Sequence, residues 1–88
     1  MIIIQAPLFG KQKKKLHANQ ITVLEDAIAT IAKNPMLGVP KKGDLQSVRV
    51  YKFKIHKQEY LLAYVYTKNQ ILLLVFGTHE NFYRDLKK

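Results

Sequence analysis

The sequence predicts an α+β fold in which N-terminal helices pack on a small, mainly antiparallel four-stranded sheet, with a short helix at the C-terminal end. Apolar residues recur at helical spacing between positions 19 and 33. Three runs rich in β-branched and aromatic residues follow at 47–55, 59–66 and 70–76. Only short polar links separate these runs, so we expect hairpins and an antiparallel meander.

The fourth strand and a first helix are predicted near the N-terminus. Three successive isoleucines at positions 2–4 indicate a short strand. Pro7 and Gly10 are then expected to interrupt regular structure, and a short basic helix is predicted over residues 11–16. These elements complete the N-terminal half together with one longer helix.

The longer helix is the clearest element of the pattern. It is predicted to begin at Asn19, a good N-cap residue, and to end near Lys33, because Pro35 disfavours helical backbone at the residue before it. Residues 35–45 contain two prolines and two glycines and are expected to form a loop. The last short helix is predicted within residues 79–88.

Length and composition limit the class of protein. With 88 residues the chain is expected to form one domain over residues 1–88. It contains no cysteine, which excludes disulfide scaffolds, thiolate zinc sites and cysteine nucleophiles. Neither a signal peptide nor the run of roughly 20 apolar residues that a membrane helix needs is present in the sequence. We therefore expect a cytoplasmic protein.

Positive charge is the strongest compositional feature. Lysine and arginine number 15 against 6 aspartate and glutamate, which gives a net charge of +9. A hydrophobic content of 48% is too high for a disordered basic tail, so this charge must lie on a folded surface. Such a surface attracts polyanions, and nucleic acid and an acidic protein are the two candidate partners. A merely well-solvated surface is the alternative.

The first strand of the predicted meander separates charge from apolar surface. Side chains alternate between the two faces of a strand, so Tyr51, Phe53 and Ile55 share one face while Lys52 and Lys54 share the other. The apolar face is expected to meet the helices. Two neighbouring ammonium groups repel each other, so an anion bound between them would relieve that repulsion. Lysines that only solubilise an exposed sheet face would give the same pattern.

The other two strands are apolar on both faces. In the second strand Tyr60, Leu62 and Tyr64 alternate with Leu61 and Ala63, and the third strand is almost entirely apolar. The outer face of the sheet therefore needs a cover. Either the C-terminal segment folds over it or a partner does.

A cluster of polar and aromatic residues follows the last strand. Thr78 and His79 follow Gly77 directly, and Tyr83 and Arg84 come four and five residues after His79. Strand ends commonly present binding or catalytic groups, and histidine exchanges a proton near neutral pH. A solvent-facing histidine at the start of a helix is an equally good interpretation of this position.

Taken in order, these motifs resemble the RelE/ParE superfamily of type II toxin–antitoxin toxins. The resemblance rests on the Tyr-Lys-Phe-Lys strand at 51–54, the Tyr-Leu-Leu-Ala-Tyr strand at 60–64 and the Gly-x-His-x-x-x-Tyr ending at 77–83. It implies a RelE-like fold and an acidic antitoxin as partner. It also implies the activity of a RelE/YafQ-like mRNA interferase, a ribosome-dependent endoribonuclease that needs no cofactor or metal.

The resemblance further implies roles for particular residues. In RelE-type toxins two lysines of the matching strand contact the scissile phosphate, which corresponds to Lys52 and Lys54. In YafQ-type toxins the matching histidine is catalytic, which corresponds to His79, with Tyr83 as the aromatic residue that orients the nucleotide. The sequence departs from the family at Leu61, where many RelE-type toxins have an arginine that stabilises transition-state charge. That charge would have to come from Arg49, Lys57, Arg84 or a residue of the Lys41-Lys42 loop.

Cleavage of RNA without a metal needs a base for the 2′-hydroxyl proton, cations for the phosphoryl oxygens and an acid for the departing 5′-oxygen. We assign the cationic role to Lys52 and Lys54, one of which could also act as the base, and the acid role to His79, with exchange between His79 and that lysine left open. The remaining basic residues predicted to bind mRNA or ribosomal RNA are Lys13, Lys14, Lys41, Lys42, Arg49, Lys57 and Arg84.

Two further classes share these sequence features. A ParE-like poison of DNA gyrase would have the same fold without needing His79 or the lysine pair. A non-catalytic module that binds nucleic acid or an antitoxin would need only the basic surface.

Overall fold

The computed structural model describes residues 1–41 and 47–86, and over these ranges the chain forms three helices and a five-stranded sheet. The strands lie in the order β1-β5-β4-β3-β2, with β1 parallel to β5 and all other neighbours antiparallel. No helix in this part of the chain is long and apolar enough to cross a membrane. The elements in chain order are β1 (Ile2–Gln5), α1 (Pro7–Lys14), α2 (Ala18–Lys33), β2 (Val39–Pro40), β3 (Val48–Ile55), β4 (Gln58–Thr67), β5 (Gln70–Gly77) and α3 (His79–Leu86).

The predicted α+β class is confirmed, but the prediction of four strands was one short. The additional strand is β2, which lies inside the segment predicted to be a loop and pairs with Val50 and Arg49 of β3. Two residues, one of them a proline, carry no periodic signal in the sequence. The strand forms because its backbone pairs with β3. The Lys41 N–H extends this pairing by donating a hydrogen bond to the Val48 carbonyl at 2.8 Å.

Helix α1 begins four residues earlier than predicted. Pro7 occupies the first turn, where its missing N–H leaves no intrahelical hydrogen bond unmade, so it starts the helix instead of interrupting it. Gly10 lies inside the helix. Phe9 is fully buried and packs edge-to-face on Phe76 of β5, with ring centroids 5.1 Å apart. This contact fixes α1 to the sheet.

Helix α2 also begins earlier than predicted, although it ends at Lys33 as expected. Its N-cap residue is His17, and Asn19 lies within the first turn. The Gln20 side chain accepts a hydrogen bond from the His17 backbone N–H at 2.8 Å and so satisfies a donor at this helix end. The prediction missed this start because histidine is a less common N-cap residue than asparagine.

The antiparallel meander is confirmed, with tighter turns than predicted. Two residues, His56 and Lys57, separate β3 from β4, and two residues, Lys68 and Asn69, separate β4 from β5. His56 has a φ of 56°, a left-handed conformation that a two-residue hairpin commonly requires. The register across β3 and β4 aligns Lys52 with Leu61.

The sheet separates two hydrophobic clusters, one on each face. The cluster under α1 and α2 includes Tyr64 and Leu73, and the half-buried Tyr51 and Phe53 pack against it. This confirms which face of β3 was expected to meet the helices. Lys52 and Lys54 lie exposed on the other face.

Helix α3 covers the centre of the outer face. Phe82 is fully buried and belongs to the second cluster, together with Leu61, Ala63 and Val75 of the sheet. Of the two covers expected for this face, the C-terminal segment or a partner, the structure shows the C-terminal segment over its centre. A bulge in β5 between the partners of Ala63 and Tyr64 shifts the strand's alternation, so that Leu73 and Phe76 both face α1.

Tyr64 is a buried tyrosine whose hydroxyl holds the segment that follows α2. The hydroxyl donates a hydrogen bond to the Pro35 carbonyl at 2.6 Å and accepts one from the Gly38 N–H at 2.9 Å. We call residues 35–38 the anchored segment. Because both partners are backbone groups far away in sequence, this one side chain sets where the chain turns back from α2 towards β2.

Replacement of Tyr64 by phenylalanine is expected to lower the free energy of unfolding by about 1–3 kcal/mol, because it leaves buried backbone groups of Pro35 and Gly38 without a partner. Urea denaturation followed by circular dichroism measures the change. Tyr66→Phe is the matched control, since Tyr66 lies on the same face of β4 but is only partly buried. Equal effects of the two variants would contradict the anchoring role.

The same hydroxyl predicts a dependence of stability on alkaline pH. Burial raises the pKa of Tyr64 above its ordinary value of 10.0, although the hydrogen bond from Gly38 and the nearby Arg49 charge oppose this. The unfolded chain therefore loses this proton first as the pH rises. The stability contribution of Tyr64 is complete below about pH 10 and falls above it. Tyr64→Phe should show a shallower loss of stability between about pH 9 and 11 than the parent chain in urea titrations.

Candidate functional site

A cavity of about 740 Å³ opens on the outer side of β3, between residues 37–41 and helix α3. We call it the first cavity. Its volume lies in the range of small-molecule and nucleotide sites. Most of the lining is apolar, with two lysines and two tyrosines as its polar side chains. The lining residues are Leu37, Val39, Pro40, Lys41, Val50, Tyr51, Lys52 and Tyr83.

One wall of the first cavity depends on the anchored segment. Besides the bonds from Tyr64, the Arg49 guanidinium donates hydrogen bonds to the carbonyls of Met36, at 3.2 Å, and Gly38, at 2.8 Å. Gly38 is buried directly against the Tyr64 ring. These contacts hold the backbone that leads into β2. They therefore fix where Lys41, which follows β2, enters the cavity wall.

Lys41 and Tyr83 join the two sides of the cavity. The Lys41 Nζ donates a hydrogen bond to the Tyr83 hydroxyl at 2.7 Å and lies 4.3 Å from the centre of its ring. Both a hydrogen bond and a cation–π contact therefore hold the ammonium group. An incoming anion would meet a lysine whose position is already defined.

Lys52 lies on the same face of the sheet as α3. It is level with Leu61 on β4, and Leu61 is level with Gly77 on β5, so Lys52 and the last residue of β5 share one row of the sheet. At the usual strand spacing their Cα atoms are about 10 Å apart. Lys54 follows two residues later on this face, opposite Glu59.

His79 and Tyr83 occupy successive turns of one side of α3. Their ring centroids are 5.0 Å apart, with the rings tilted edge-to-face at 63°. His79 is exposed, whereas Tyr83 is half-buried and lines the first cavity. The imidazole therefore stands beside the tyrosine at the end of the sheet where Lys52 and Lys54 also lie.

The structure thus brings part of the predicted catalytic set together. Lys52 and Tyr83 line one cavity, and His79 contacts Tyr83. Lys54 is on the same face and His79 begins the same helix, but neither of them lines the cavity. The cavity also includes residues that the sequence did not single out. Leu37 and Val39 carry no polar signal; the anchored segment places Leu37 there, and the pairing of β2 with β3 places Val39.

The predicted RNA-binding residues divide by location. Arg49 lies on the face opposite Lys52, and its described contacts are the two carbonyls of the anchored segment. Lys13 pairs with Glu25 across α1 and α2 at 3.4 Å. Lys42 lies outside the described residues. The others remain exposed at separate places, namely Lys14 on α1, Lys57 in the β3–β4 turn and Arg84 on α3.

A second cavity of about 320 Å³ lies on the other side of α3. It is formed where α3, the end of β5 and the C-terminal end of α1 meet, and Arg84 is part of its lining. As for metals, the residues that the structure describes contain no group of three or more histidine or carboxylate side chains placed to hold an ion.

Comparisons with known proteins identify relatives of this fold. The family model described as the ParE-like toxin of type II bacterial toxin–antitoxin systems matches residues 3–87. No curated protein sequence matches significantly. Several solved structures do.

Three of these structures illustrate the similarity. RelE in the intact Escherichia coli RelBE toxin–antitoxin complex is 18% identical with a TM-score of 0.69, over 88% of this chain and 94% of that one. Isolated Escherichia coli RelE is also 18% identical, with a TM-score of 0.68 over 98% and 95%. A conserved hypothetical protein of Helicobacter pylori is 24% identical, with a TM-score of 0.57 over 91% and 96%. These likenesses confirm the RelE-like fold.

Gly38→Ala tests the close approach that positions the cavity wall. A Cβ at this position would lie 2.6 Å from the Tyr64 hydroxyl oxygen, so the ring or the anchored segment must move. We expect a loss of about 1–3 kcal/mol in the free energy of unfolding, as for other overpacked sites. Chemical denaturation measures it.

Gly10→Ala is the matched control, because its Cβ would meet nothing closer than the Gln5 side chain at 3.6 Å. Inside helix α1 the alanine should stabilise the chain by about 0.5–1 kcal/mol. The two glycine substitutions are therefore expected to have opposite signs. A stabilising effect of Gly38→Ala would contradict the close packing described above.

Proposed function

The chain belongs to the ParE-like toxin family of type II bacterial toxin–antitoxin systems, and from this premise we propose that it is a ribosome-dependent mRNA endonuclease. The proposed reaction needs no metal ion. A ribose 2′-hydroxyl attacks the adjacent phosphorus, the bond to the 5′-oxygen breaks, and the products are a 2′,3′-cyclic phosphate and a free 5′-hydroxyl.

The observation that carries the proposal is the first cavity with its mixed lining. Its apolar walls and the Tyr83 ring suit a nucleobase, and the ammonium groups of Lys41 and Lys52 suit the phosphate attached to it. The proposal therefore rests on the combination of shape and charge.

Lys52 and Lys54 are the proposed cations for the scissile phosphate. They project from the same face of β3, two residues apart, so both can approach one phosphoryl group. Charge gathers on the non-bridging oxygens as the 2′-oxygen attacks. Ammonium groups already in place stabilise that charge without reorganisation.

His79 is the proposed proton donor to the 5′-oxygen and a lysine of the pair the acceptor of the 2′-hydroxyl proton; in the alternative assignment these two groups exchange roles. The exposed imidazole stands at the start of α3 beside Tyr83. Tyr83 would orient the nucleotide by stacking, because its ring forms part of the cavity wall. An acid placed in this way contributes about 10²–10⁴-fold to a rate.

Lys41 is the proposed substitute for the arginine that many RelE-type toxins have at the position of Leu61. Leu61 is buried under Phe82 and offers no charge. Lys41 lies in the first cavity with Lys52 and is held by Tyr83 at 2.7 Å. Its ammonium group is the best placed of the alternatives to take over the lost charge, since Arg49 is engaged on the opposite face.

His79→Ala and the double variant Lys52→Ala/Lys54→Ala are expected to slow mRNA cleavage on translating ribosomes by about 10²-fold or more, because each removes a group that acts on the transition state. Primer extension on the mRNA after addition of purified protein measures the cleavage. Lys41→Ala should also slow it. Undiminished cleavage by His79→Ala would contradict the assignment.

Lys68→Ala is the matched control. It removes the same charge from an exposed turn at the opposite end of β5 from Gly77, so cleavage should be unchanged. Circular dichroism of every variant shows whether the fold is retained.

A gyrase poison is the second candidate, and the family's ParE-like description favours it. It predicts DNA breaks in a supercoiling assay with purified gyrase and intact mRNA in the ribosome assay. The two assays run on the same preparation decide between the activities.

We also propose that the partner in the cell is an acidic antitoxin. Three large apolar side chains are exposed beside the first cavity, Met36 at 61%, Leu37 at 46% and Val39 at 69%. An acidic segment with apolar residues would bury this patch and neutralise the lysines around it. The Escherichia coli RelE structure in complex with its antitoxin is consistent with such a partner.

A further inference from the structure

The second cavity has the groups expected of a site for single-stranded RNA. It is bounded by α1, β4, β5 and α3, and its cations come from two different helices, Lys15 at the end of α1 and Arg84 on α3. Tyr60 provides an aromatic surface and Asn81 a polar side chain at the same cavity. Its remaining lining residues are Gln12, Phe76, Gly77, Thr78 and Asp85.

The second cavity and the first lie on the two sides of α3. Tyr83 faces the first cavity, whereas Asn81, Arg84 and Asp85 line the second. His79 begins the helix directly after Thr78, which also lines the second cavity. A helix with its side chains is only about 10 Å wide. A single-stranded RNA that crosses the first turn of α3 can therefore enter both cavities, and the part of the RNA between the two cavities then runs past His79.

We propose that the second cavity binds the phosphate and base of a neighbouring nucleotide of the same RNA strand, a proposal that rests on the proposed function of the first cavity. Lys15 and Arg84 hold the phosphate, and the base lies against Tyr60. The substrate is then an extended single strand bent over the start of α3, and two separate phosphate contacts align the scissile bond with His79.

Asp85 is the opposing charge at this site. Its Oδ1 lies 3.8 Å from the Arg84 Nε, and its carboxylate is part of the cavity lining. It orients the guanidinium but also repels a phosphate. The sign of its effect is therefore a direct test, because removal of this charge should strengthen RNA binding while removal of the two cations weakens it.

The test measures binding of a fluorescently labelled eight-nucleotide single-stranded RNA to the full chain by fluorescence anisotropy, with the scissile 2′-hydroxyls replaced by 2′-methoxy groups. Lys15→Gln and Arg84→Gln are each expected to weaken binding about two- to fivefold, as for partly exposed charge contacts. Each should also reduce the slope of log affinity against log salt by about 0.7, the value for one phosphate contact to a single strand. Asp85→Asn should tighten binding.

Lys68→Gln is the matched control, since it removes the same charge from the β4–β5 turn. If Lys15→Gln and Arg84→Gln bind like Lys68→Gln, with an unchanged salt slope, the second site is overturned. Because all these variants keep Lys52, Lys54 and His79, that result would leave the proposed cleavage untouched. The proposed function itself fails if His79→Ala cleaves mRNA as fast as the parent chain. The two failures are therefore distinguishable.

Discussion

The Tyr64 hydroxyl is the interaction on which the arrangement of the first cavity depends. It is buried at the centre of the sheet and binds two backbone groups of the anchored segment, while Arg49 from the neighbouring strand binds two more. This segment of four residues contains one proline and one glycine and has little regular structure of its own. It is fixed here by two side chains of the sheet, and β2 and Lys41 follow from where it ends. The catalytic proposal therefore relies on a structural tyrosine that touches no substrate.

The second constraint is that both faces of the central strands must be covered. The helices α1 and α2 cover one face and α3 covers part of the other through Phe82. The bulge in β5 shifts which of its residues point to each face of the sheet. Leu73 and Phe76 therefore belong to the cluster under the helices α1 and α2, and Val75 belongs to the cluster under α3. In the row that Lys52 shares with Leu61 and Gly77, α3 covers Leu61 of β4 through Phe82, whereas Lys52 and Lys54 of β3 remain exposed. The exposed cations thus lie on β3 beside the helix that covers the neighbouring strand, and Tyr83 of that helix lines the first cavity.

Features that repeat along the chain were predictable, and features made by distant pairing were not. In β3 the lysines and the aromatic residues lie on opposite faces because side chains alternate in any strand. In α2 the apolar residues recur with the period of a helical turn. The strand β2 has two residues and forms only because β3 lies beside it. Arg49 shows the same limit at the site. Its charge suggested RNA, but its partners are carbonyls 11 and 13 residues away that no local pattern reveals.

Leu61 has a structural role in this chain. Leu61 lies in the row between Lys52 and Gly77 and packs under Phe82, so it fastens α3 to the sheet. A charged side chain there would have to leave this cluster, since burial of an unpaired charge is strongly unfavourable. The packing of Leu61 with Phe82 thus seats the helix that bears His79 and Tyr83. Lys41 approaches from the opposite wall and donates a hydrogen bond to Tyr83 of the same helix, so the seating of α3 also sets the position of the ammonium group that we propose as a substitute for the family's arginine.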